Sequence, residues 1–222
     1  TPPQKTAQLP PAGGEIMQLP AYNHFVRETR GNMDFAAFID IDEFIALRDD
    51  KNVKDCLRRY ADTPGLFLNW INMGDSNKSF DGKTYSVIER FRLGGKQMDR
   101  LGKCLVNMRI ADEKLLMTNP HHANIAVADP NRKYSTALGY LMENLNDDEP
   151  IQLYHYRNKT IEESYERRFH RPDACWDKDN PHNPRNVSQE DFLKDYFRMN
   201  LNETERLLVY NKWEEIKSKK TI

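Results

Sequence analysis

A short apolar segment that ends in two aspartates constrains the fold of this chain more than any other feature of its sequence. Residues 35–39, Phe-Ala-Ala-Phe-Ile, carry no charge, and Asp40, Ile41 and Asp42 follow directly. Five uncharged residues in a row predict a buried parallel strand. Because ligands of open α/β sheets collect at the carboxyl ends of such strands, the position of the two aspartates favours a functional site.

The spacing of the two aspartates suits a divalent cation. Side chains two residues apart in an extended chain point to the same side, with Cα atoms about 6–7 Å apart. One cation, or a cation with its bound water, can then contact both Asp40 and Asp42. A helix cap or a solvated loop is the alternative interpretation of such a pair. Ile41, Phe44 and Ile45 favour a partly buried segment, where an unpaired carboxylate is unfavourable.

Size, charge and cysteine content narrow the class of protein. The 222 residues fit one ordinary domain or a large domain with an appendage, and the net charge is −1. This near-zero charge gives no overall electrostatic reason to expect binding to nucleic acid. Cys56, Cys104 and Cys175 lie far apart, which indicates reduced thiols in a cytoplasmic protein, with peripheral membrane association left open. No apolar run approaches the about 18 residues of a transmembrane helix.

The order of the predicted elements indicates an α/β fold with a helical C-terminal region. Residues 1–19, rich in proline, glycine and glutamine, are expected to form a linker or loop. Residues 20–171 hold the predicted sheet, and residues 172–222 are a predicted helical extension. The predicted strands are 35–39, 66–70, 103–110 and 151–156.

Helix starts are predicted from proline and from capping patterns. Three residues after Thr160, Ser188 and Asn202 comes an acidic residue, which is typical of a capping box. Residues 84–91 fit a helix and a strand equally well, and residues 134–144 fit a helix. The predicted helices begin at Pro20, Asn52, Thr160, Ser188 and Asn202.

Several further residues are candidates for chemistry, each with an ordinary structural alternative. His155, between two tyrosines of a predicted strand, is either a half-buried strand histidine or a third metal ligand. Lys159 and Arg157 are candidates for phosphate contacts or are surface charges. Of His121 and His122, at most one is expected to reach a shared site, because adjacent strand side chains point to opposite faces.

The functional blocks, in their order along the chain, resemble those of the glycosyltransferase family 2-like group and of the related glycosyltransferase family 92, formerly a domain of unknown function. The resemblance covers roughly residues 22–171. The acidic block alone is a weak signal, and the ordered set carries the resemblance. The matching segments are residues 35–45, 69–74, 87–91, 102–106, 121–122 and 155–165.

This resemblance implies a GT-A fold, a nucleotide-diphosphate sugar donor, a glycan or glycolipid acceptor, and Mn²⁺ or Mg²⁺ as cofactor. By position in the motif, Asp40 would contact the ribose or the cation, and Asp42 would bind the cation. His155 would join the metal or the diphosphate, and Lys159 would lie beside the phosphates. In such an enzyme the cation neutralises the departing diphosphate as a Lewis acid.

An inverting enzyme of this kind also needs a carboxylate base for the acceptor hydroxyl. Asp75, Glu89 and Asp99 are the candidates, although Asp75 fits an ordinary turn aspartate as well. An acceptor-binding role is assigned to Trp70, which has the core as its alternative place, and to the two histidines, His121 and His122.

Two departures from the family pattern shape the alternatives. The family has a nucleotide-binding half-sheet before the acidic pair, whereas about one helix precedes it here, so the chain is expected to be the C-terminal part of a GT-A domain. Residues 74–77, Gly-Asp-Ser-Asn, replace a Gly-Ser-Ser-Gly-like turn that bears on acceptor contacts. The alternative function is a non-catalytic glycan- or partner-binding domain derived from such an enzyme. A two-carboxylate phosphohydrolase or nuclease is a third hypothesis, which the lack of a basic face disfavours.

Overall fold

The computed structural model describes residues 18–84, 86–135, 148–170 and 186–220. In chain order the strands are β1 (Phe35–Ala37), β2 (Glu43–Leu47), β3 (Gly65–Asn72), β4 (Leu93–Gly94), β5 (Gly102–Asn107), β6 (Met117–Asn119), β7 (His122–Ala123), β8 (Val127–Ala128), β9 (Tyr134–Ser135), β10 (Ile151–His155) and β11 (Thr204–Glu205). The helices are α1 (Gln18–Thr29), α2 (Val53–Arg58), α3 (Val87–Arg90), α4 (Ile161–Phe169), α5 (Gln189–Met199) and α6 (Leu208–Lys220).

One mixed sheet built around β3 organises these elements. Its strand order is β1-β5-β3-β10-β2, and β8 with β9 extends it beside β3. β10 runs parallel to β3, whereas β5 is antiparallel to β3 and to β1, and β2 is antiparallel to β10. The predicted α/β class is therefore confirmed. The carboxyl ends of β3 and β10 lie side by side, because His155 is in register with Asn72.

The core explains why β3 was recognisable from sequence. Every residue of β3 and of β10 is buried. Phe67 packs in one cluster with Val26 of α1, whereas Leu66, Leu68 and Trp70 belong to a cluster on the other face of the sheet. Each large apolar side chain buried in this way contributes about 1.5–3 kcal/mol relative to an exposed one.

Several predicted helix starts are confirmed by their caps. The Thr160 hydroxyl and the Glu163 carboxylate form the expected capping box at the start of α4. The Ser188 and Asn52 side chains accept hydrogen bonds from backbone N–H groups three residues on and begin α5 and α2. In the ambiguous segment 84–91, Val87–Arg90 forms the single turn α3.

The prediction of a five-residue buried parallel strand before the aspartates is wrong. β1 has three residues, lies at the edge of the sheet and is antiparallel to β5. The Phe38 ring instead stacks on Tyr22 and meets Phe25 edge-on, both on α1. This packing draws the chain out of the sheet after Ala37, so Asp40 and Asp42 lie in a turn between β1 and β2.

The predicted helix start at Asn202 is also wrong. The Asn202 side chain donates to the Asp75 carboxylate at 2.7 Å and accepts from the Ser76 N–H at 2.8 Å, so it is not available as a cap. Thr204–Glu205 forms β11 against β4, and α6 begins at Leu208.

Other predictions fall partly outside the described residues. The helix predicted over 134–144 is one, and its first two residues form β9. The linker prediction covers residues 1–19, of which 1–17 lie outside the described residues, whereas Gln18 and Leu19 belong to α1 and correct the prediction there. The start of the C-terminal extension over 172–185 and Cys175 also lie outside the described residues. No helix within the described residues is long and apolar enough to cross a membrane.

Candidate functional site

A cavity of about 630 Å³ opens at the carboxyl ends of β3 and β10, beside the turn that carries the two aspartates. We call it the Asp40–Asp42 cavity. All five residues predicted for donor, metal or sugar contacts in this region line it, namely Asp40, Asp42, Trp70, His155 and Lys159. Arg157, named above as a candidate for phosphate contacts, also lines it, and the structure adds Ile39 and Ile41 from the turn and Arg167 from α4.

The turn between β1 and β2 is closed by a buried glutamate. The Glu43 carboxylate accepts from the Asp40 N–H at 2.8 Å, and the Glu43 N–H donates to the Asp40 carbonyl at 3.0 Å. The aspartate side chains stay accessible, at 42% for Asp40 and 14% for Asp42. Ile41 between them is fully exposed. The turn thus presents both carboxylates to the cavity.

Each carboxylate of the pair faces a cation from another element. Lys103 of β5 is fully buried, and its Nζ lies 3.1 Å from the Asp40 Oδ2 and 4.0 Å from the Glu43 Oε2. Arg167 of α4 lies 3.7 Å from the Asp42 Oδ2. Sequence reasoning missed Lys103 and Glu43. The signal was present in β5, where Lys103 directly precedes three apolar residues, because a buried lysine requires an acidic partner.

The surroundings of Glu43 raise the pKa of its carboxyl group toward neutral pH. Burial raises the pKa of Glu43 to about 7, against the lowering effect of the Asp40 N–H and the charge on Lys103. The indole N–H of Trp70 faces the same carboxylate and also favours its ionised form, although it does not reach hydrogen-bonding geometry.

His155 is held as a neutral imidazole at the cavity wall. Burial lowers the pKa of His155 well below its ordinary value, and the opposing effect of Asp42 is smaller. Its Nε2 lies 4.0 Å from the Asp42 Oδ1, and its ring packs against Trp70 at a tilt of 38°, with centroids 4.4 Å apart. Within the described residues, the buried Nδ1 has no hydrogen-bond partner. Neutral imidazole is the form that binds metals.

The side chains at the Asp40–Asp42 cavity suit a cation whose remaining ligands are waters or phosphate oxygens. Among the described residues, no group of three or more His, Cys, Asp or Glu side chains is arranged to hold a metal. Asp40 and Asp42 offer carboxylate oxygens to the cavity. Mg²⁺ commonly binds through one or two carboxylates, with waters and substrate phosphates completing its shell. Asp40 and Asp42 fit this mode of Mg²⁺ binding, in which the protein supplies only one or two carboxylates.

His121 lies in the turn before β7 and His122 in β7, and neither lines the Asp40–Asp42 cavity, so their acceptor-binding role stays a prediction. The His121 ring meets Trp70 edge-on with centroids 5.3 Å apart, and its Nδ1 lies 3.0 Å from the Gly102 carbonyl. His121 therefore supports the cavity wall from behind. His122 begins β7, is buried, and does not line the Asp40–Asp42 cavity.

None of the three candidate bases lines the Asp40–Asp42 cavity. Asp75 is buried and accepts from the Tyr196 hydroxyl and the Asn202 amide. Burial alone would raise the pKa of Asp75, but these hydrogen bonds outweigh burial and hold it below its ordinary value. Asp75 is therefore a structural turn residue with little basicity.

The other two candidate bases lie in different surroundings. Glu89 of α3 accepts from the Trp213 indole at 3.0 Å and from Lys217 at 2.8 Å, both on α6. These contacts tie α3 to α6 and leave Glu89 apart from the predicted site. Asp99 is adjacent to the predicted site, since the Asp99 N–H donates to the Trp70 carbonyl at 2.7 Å. Of the three, only Asp99 lies next to the Asp40–Asp42 cavity.

Comparison of the chain with models of known protein families and with curated proteins found no match. The family resemblance therefore remains a prediction from the sequence blocks, and the geometry of the cavity carries the functional proposal.

Proposed function

We propose that this chain carries part of the active site of a metal-dependent glycosyltransferase with a GT-A-like fold, which uses a nucleotide-diphosphate sugar and a glycan acceptor. One observation carries the proposal. Asp40, Asp42, Trp70, His155 and Lys159 come from three separate segments of the chain and line a single cavity. The three segments are far apart in sequence, and the fold brings these predicted residues together.

The charges around the cavity suit a diphosphate with a cation. Arg157, Lys159 and Arg167 line it together with the two aspartates. Guanidinium and ammonium groups form strong charge-assisted hydrogen bonds to phosphate oxygens, and arginine can do so through two parallel bonds. Asp40 and Asp42 would hold the cation, which would supply further positive charge for the same phosphates.

Within this proposal, different residues assist the departure of the diphosphate in different ways. Asp42 and Asp40 would hold Mn²⁺ or Mg²⁺, which acts as a Lewis acid on the leaving diphosphate. Arg157, Lys159 and Arg167 stabilise the negative charge that develops on its oxygens. Neutral His155 adds no positive charge that would repel the cation.

Calorimetric titration with uridine diphosphate and with guanosine diphosphate, each with and without Mn²⁺, tests the proposal. We expect at least one diphosphate to bind only with the cation. Asp42→Asn should weaken this binding at least about 10-fold, since loss of even an outer-shell partner costs 10–100-fold in metal affinity. Asp49→Asn is the matched control, because Asp49 is exposed and does not line the cavity.

Two results of this titration would contradict the proposal. Equal binding of the diphosphate with a chelator present, or equal binding by Asp42→Asn, would exclude the cation role of the acidic pair. Binding of neither diphosphate under any condition would exclude the donor site.

A second candidate function is supported by the charge pairing itself. Lys103 already faces Asp40 and Arg167 already faces Asp42, so the carboxylates are balanced without a metal. A non-catalytic module derived from such an enzyme would keep these pairs as structural contacts. It predicts glycan binding that is indifferent to Mn²⁺ and no breakdown of a nucleotide sugar, whereas the enzyme predicts Mn²⁺-dependent breakdown.

A further inference from the structure

A second cavity, of about 360 Å³, lies at the end of β3 next to the Asp40–Asp42 cavity. We call it the Asn72–Asp99 cavity. Its walls come from the end of β3, the loop before β5 and the segment between α5 and β11. The lining includes Asn72, Lys96, Gln97, Asp99, Leu201 and Glu203.

The two cavities are neighbours on β3. Trp70 lines the first and Asn72 lines the second, and side chains two residues apart in a strand point to the same face. Asn72 is in register with His155, which lines the first cavity. The Asp99 N–H donates to the Trp70 carbonyl. A ligand in one cavity is therefore close to a ligand in the other.

Asn72 has a buried acceptor without a partner. The side-chain amide donates to the Asp99 Oδ2 at 2.6 Å, and the residue is only 7% exposed. Its Oδ1 has no hydrogen-bond partner among the described residues. Buried polar atoms are nearly always hydrogen-bonded in proteins, so this oxygen at the cavity wall is available to a donor group of a bound ligand or water.

Asp99 is held in a fixed orientation with acceptor capacity to spare. Its Oδ1 accepts from the Leu101 N–H at 2.9 Å, and its Oδ2 accepts from Asn72. A carboxylate has about four lone-pair sites, so each oxygen keeps one for another donor. The carboxylate can therefore accept a proton from a hydroxyl bound in the cavity.

The remaining walls suit an uncharged ligand with many hydroxyl groups. Two carboxylates, Asp99 and Glu203, and two amides, Asn72 and Gln97, stand against the single cation Lys96. The Leu201 side chain adds an apolar surface. Hydroxyl groups donate to carboxylates and amide oxygens and accept from amide N–H groups. An anionic ligand would instead be repelled, in contrast to the cationic lining of the Asp40–Asp42 cavity.

We propose that the Asn72–Asp99 cavity binds a neutral sugar acceptor and that Asp99 is the base that takes its proton. The inference rests on the proposed function. As the acceptor oxygen bonds to the anomeric carbon, its proton passes to the Asp99 carboxylate. The bond between that carbon and the diphosphate oxygen breaks, and its electron pair leaves with the diphosphate.

Nuclear magnetic resonance titration of the isotope-labelled chain tests the binding site. The probes are the methyl glycosides of glucose, galactose, mannose and N-acetylglucosamine, each added with Mg²⁺ and the diphosphate that binds. At least one should shift the side-chain amide signals of Asn72 and Gln97. Gln97→Ala should weaken that glycoside at least about 5-fold, by loss of a hydrogen bond. Gln189→Ala, an exposed glutamine on α5, is the matched control.

The outcomes separate this inference from the proposed function. If the diphosphate binds with Mg²⁺ and none of the glycosides shifts the Asn72 or Gln97 signals, the acceptor site is overturned and the donor site stands. If no diphosphate binds, the proposed function is contradicted, and this inference with it.

The role of Asp99 as base has its own measurement. Asp99→Asn keeps the shape of the side chain but not its basicity, so turnover should fall by far more than glycoside affinity, which loses about one hydrogen bond. Turnover of a nucleotide sugar should fall about 100-fold or more, the usual contribution of a general base. An Asp99→Asn protein with unchanged turnover, or with a fall in turnover no larger than its fall in glycoside affinity, would overturn the assignment of the base.

Discussion

The two ends of the sheet bury carboxylates in different surroundings. At the carboxyl end, Glu43 lies beside Lys103 and accepts the Asp40 N–H, and its pKa rises to about 7. At the opposite end, Glu149 precedes β10 and is fully buried. Burial raises its pKa to about 8, with the charges of Asp129 and Asp148 adding to the rise.

This difference shows why a shifted pKa alone does not mark a functional site. Among the described residues, neither oxygen of Glu149 has a hydrogen-bond partner, and its charged neighbours named above are acidic. Glu43 shares its end of the sheet with a cavity, a buried cation and a neutral histidine. The mixture of charges around the Asp40–Asp42 cavity, together with its accessibility, is therefore what distinguishes the candidate site.

The largest expected effect is on the pH dependence of stability and concerns the buried carboxyl group of Glu149. The unfolded chain releases the Glu149 proton near the ordinary glutamate pKa of 4.5, whereas the folded chain holds it to about 8. The stability that Glu149 contributes in its protonated form is therefore complete below pH 4.5 and is lost as the pH rises to about 8. Glu149→Gln should remove this loss, on the order of 4 kcal/mol. Urea unfolding of both proteins at about pH 5 and about pH 9 measures it.

Glu113→Gln is the control for this prediction, because Glu113 is exposed. Glu43 titrates in the same direction in wild type and variant, so the difference between them isolates Glu149. Parallel pH profiles for wild type and Glu149→Gln would contradict the prediction.

A smaller effect is expected at the balanced end of the sheet. Lys103→Met removes the buried cation and leaves Asp40 and Glu43 without their partner. Breaking a buried ion pair from one side costs about 3 kcal/mol, and protonation of Glu43 limits the loss as the pH falls. Thermal and urea unfolding should show it, with the exposed Lys54→Met as control. A loss of stability no larger than that of the control would show that Lys103 is not the partner of these carboxylates.

The smallest effect concerns α4, which carries Arg167 to the cavity. Thr160→Ala removes the hydroxyl that caps this helix and should cost about 1 kcal/mol in the free energy of unfolding. Thr160→Ser keeps the hydroxyl and should restore most of that stability. Equal losses in the two variants would mean that packing of the buried methyl group, rather than the cap, determines the effect.

Features that depend on neighbouring residues could be predicted from the sequence. The caps at Thr160 and Ser188 join residues three apart, and β3 and β10 are short apolar segments with turn residues near them. The gathering of Asp40 and His155 at one cavity agrees with the order of the family blocks, although the buried parallel strand predicted to end at Asp40 is not formed.

Features set by distant contacts could not be predicted. Asn202 fits a cap locally, but it binds Asp75, 127 residues away. β1 is shortened because Phe38 packs on α1, a contact that no local pattern records. The pairing of Lys103 with Glu43 requires the turn after β1 and the strand β5 to be adjacent in space. The position of Asp99 next to the cavity, unlike that of Asp75, became clear only from the fold.

The hydroxyl of Tyr196 joins two loops that follow adjacent strands. It lies 2.6 Å from the Asp75 carboxylate, beyond β3, and 2.9 Å from the Lys159 carbonyl, beyond β10. The segment after α5 then supplies Leu201 and Glu203 to the second cavity. A protein shortened before α5 would lose this anchor and one cavity wall together. Under the proposed function, a change in the length of the α5–β11 connection is thus expected to alter which acceptor is used before it alters which donor.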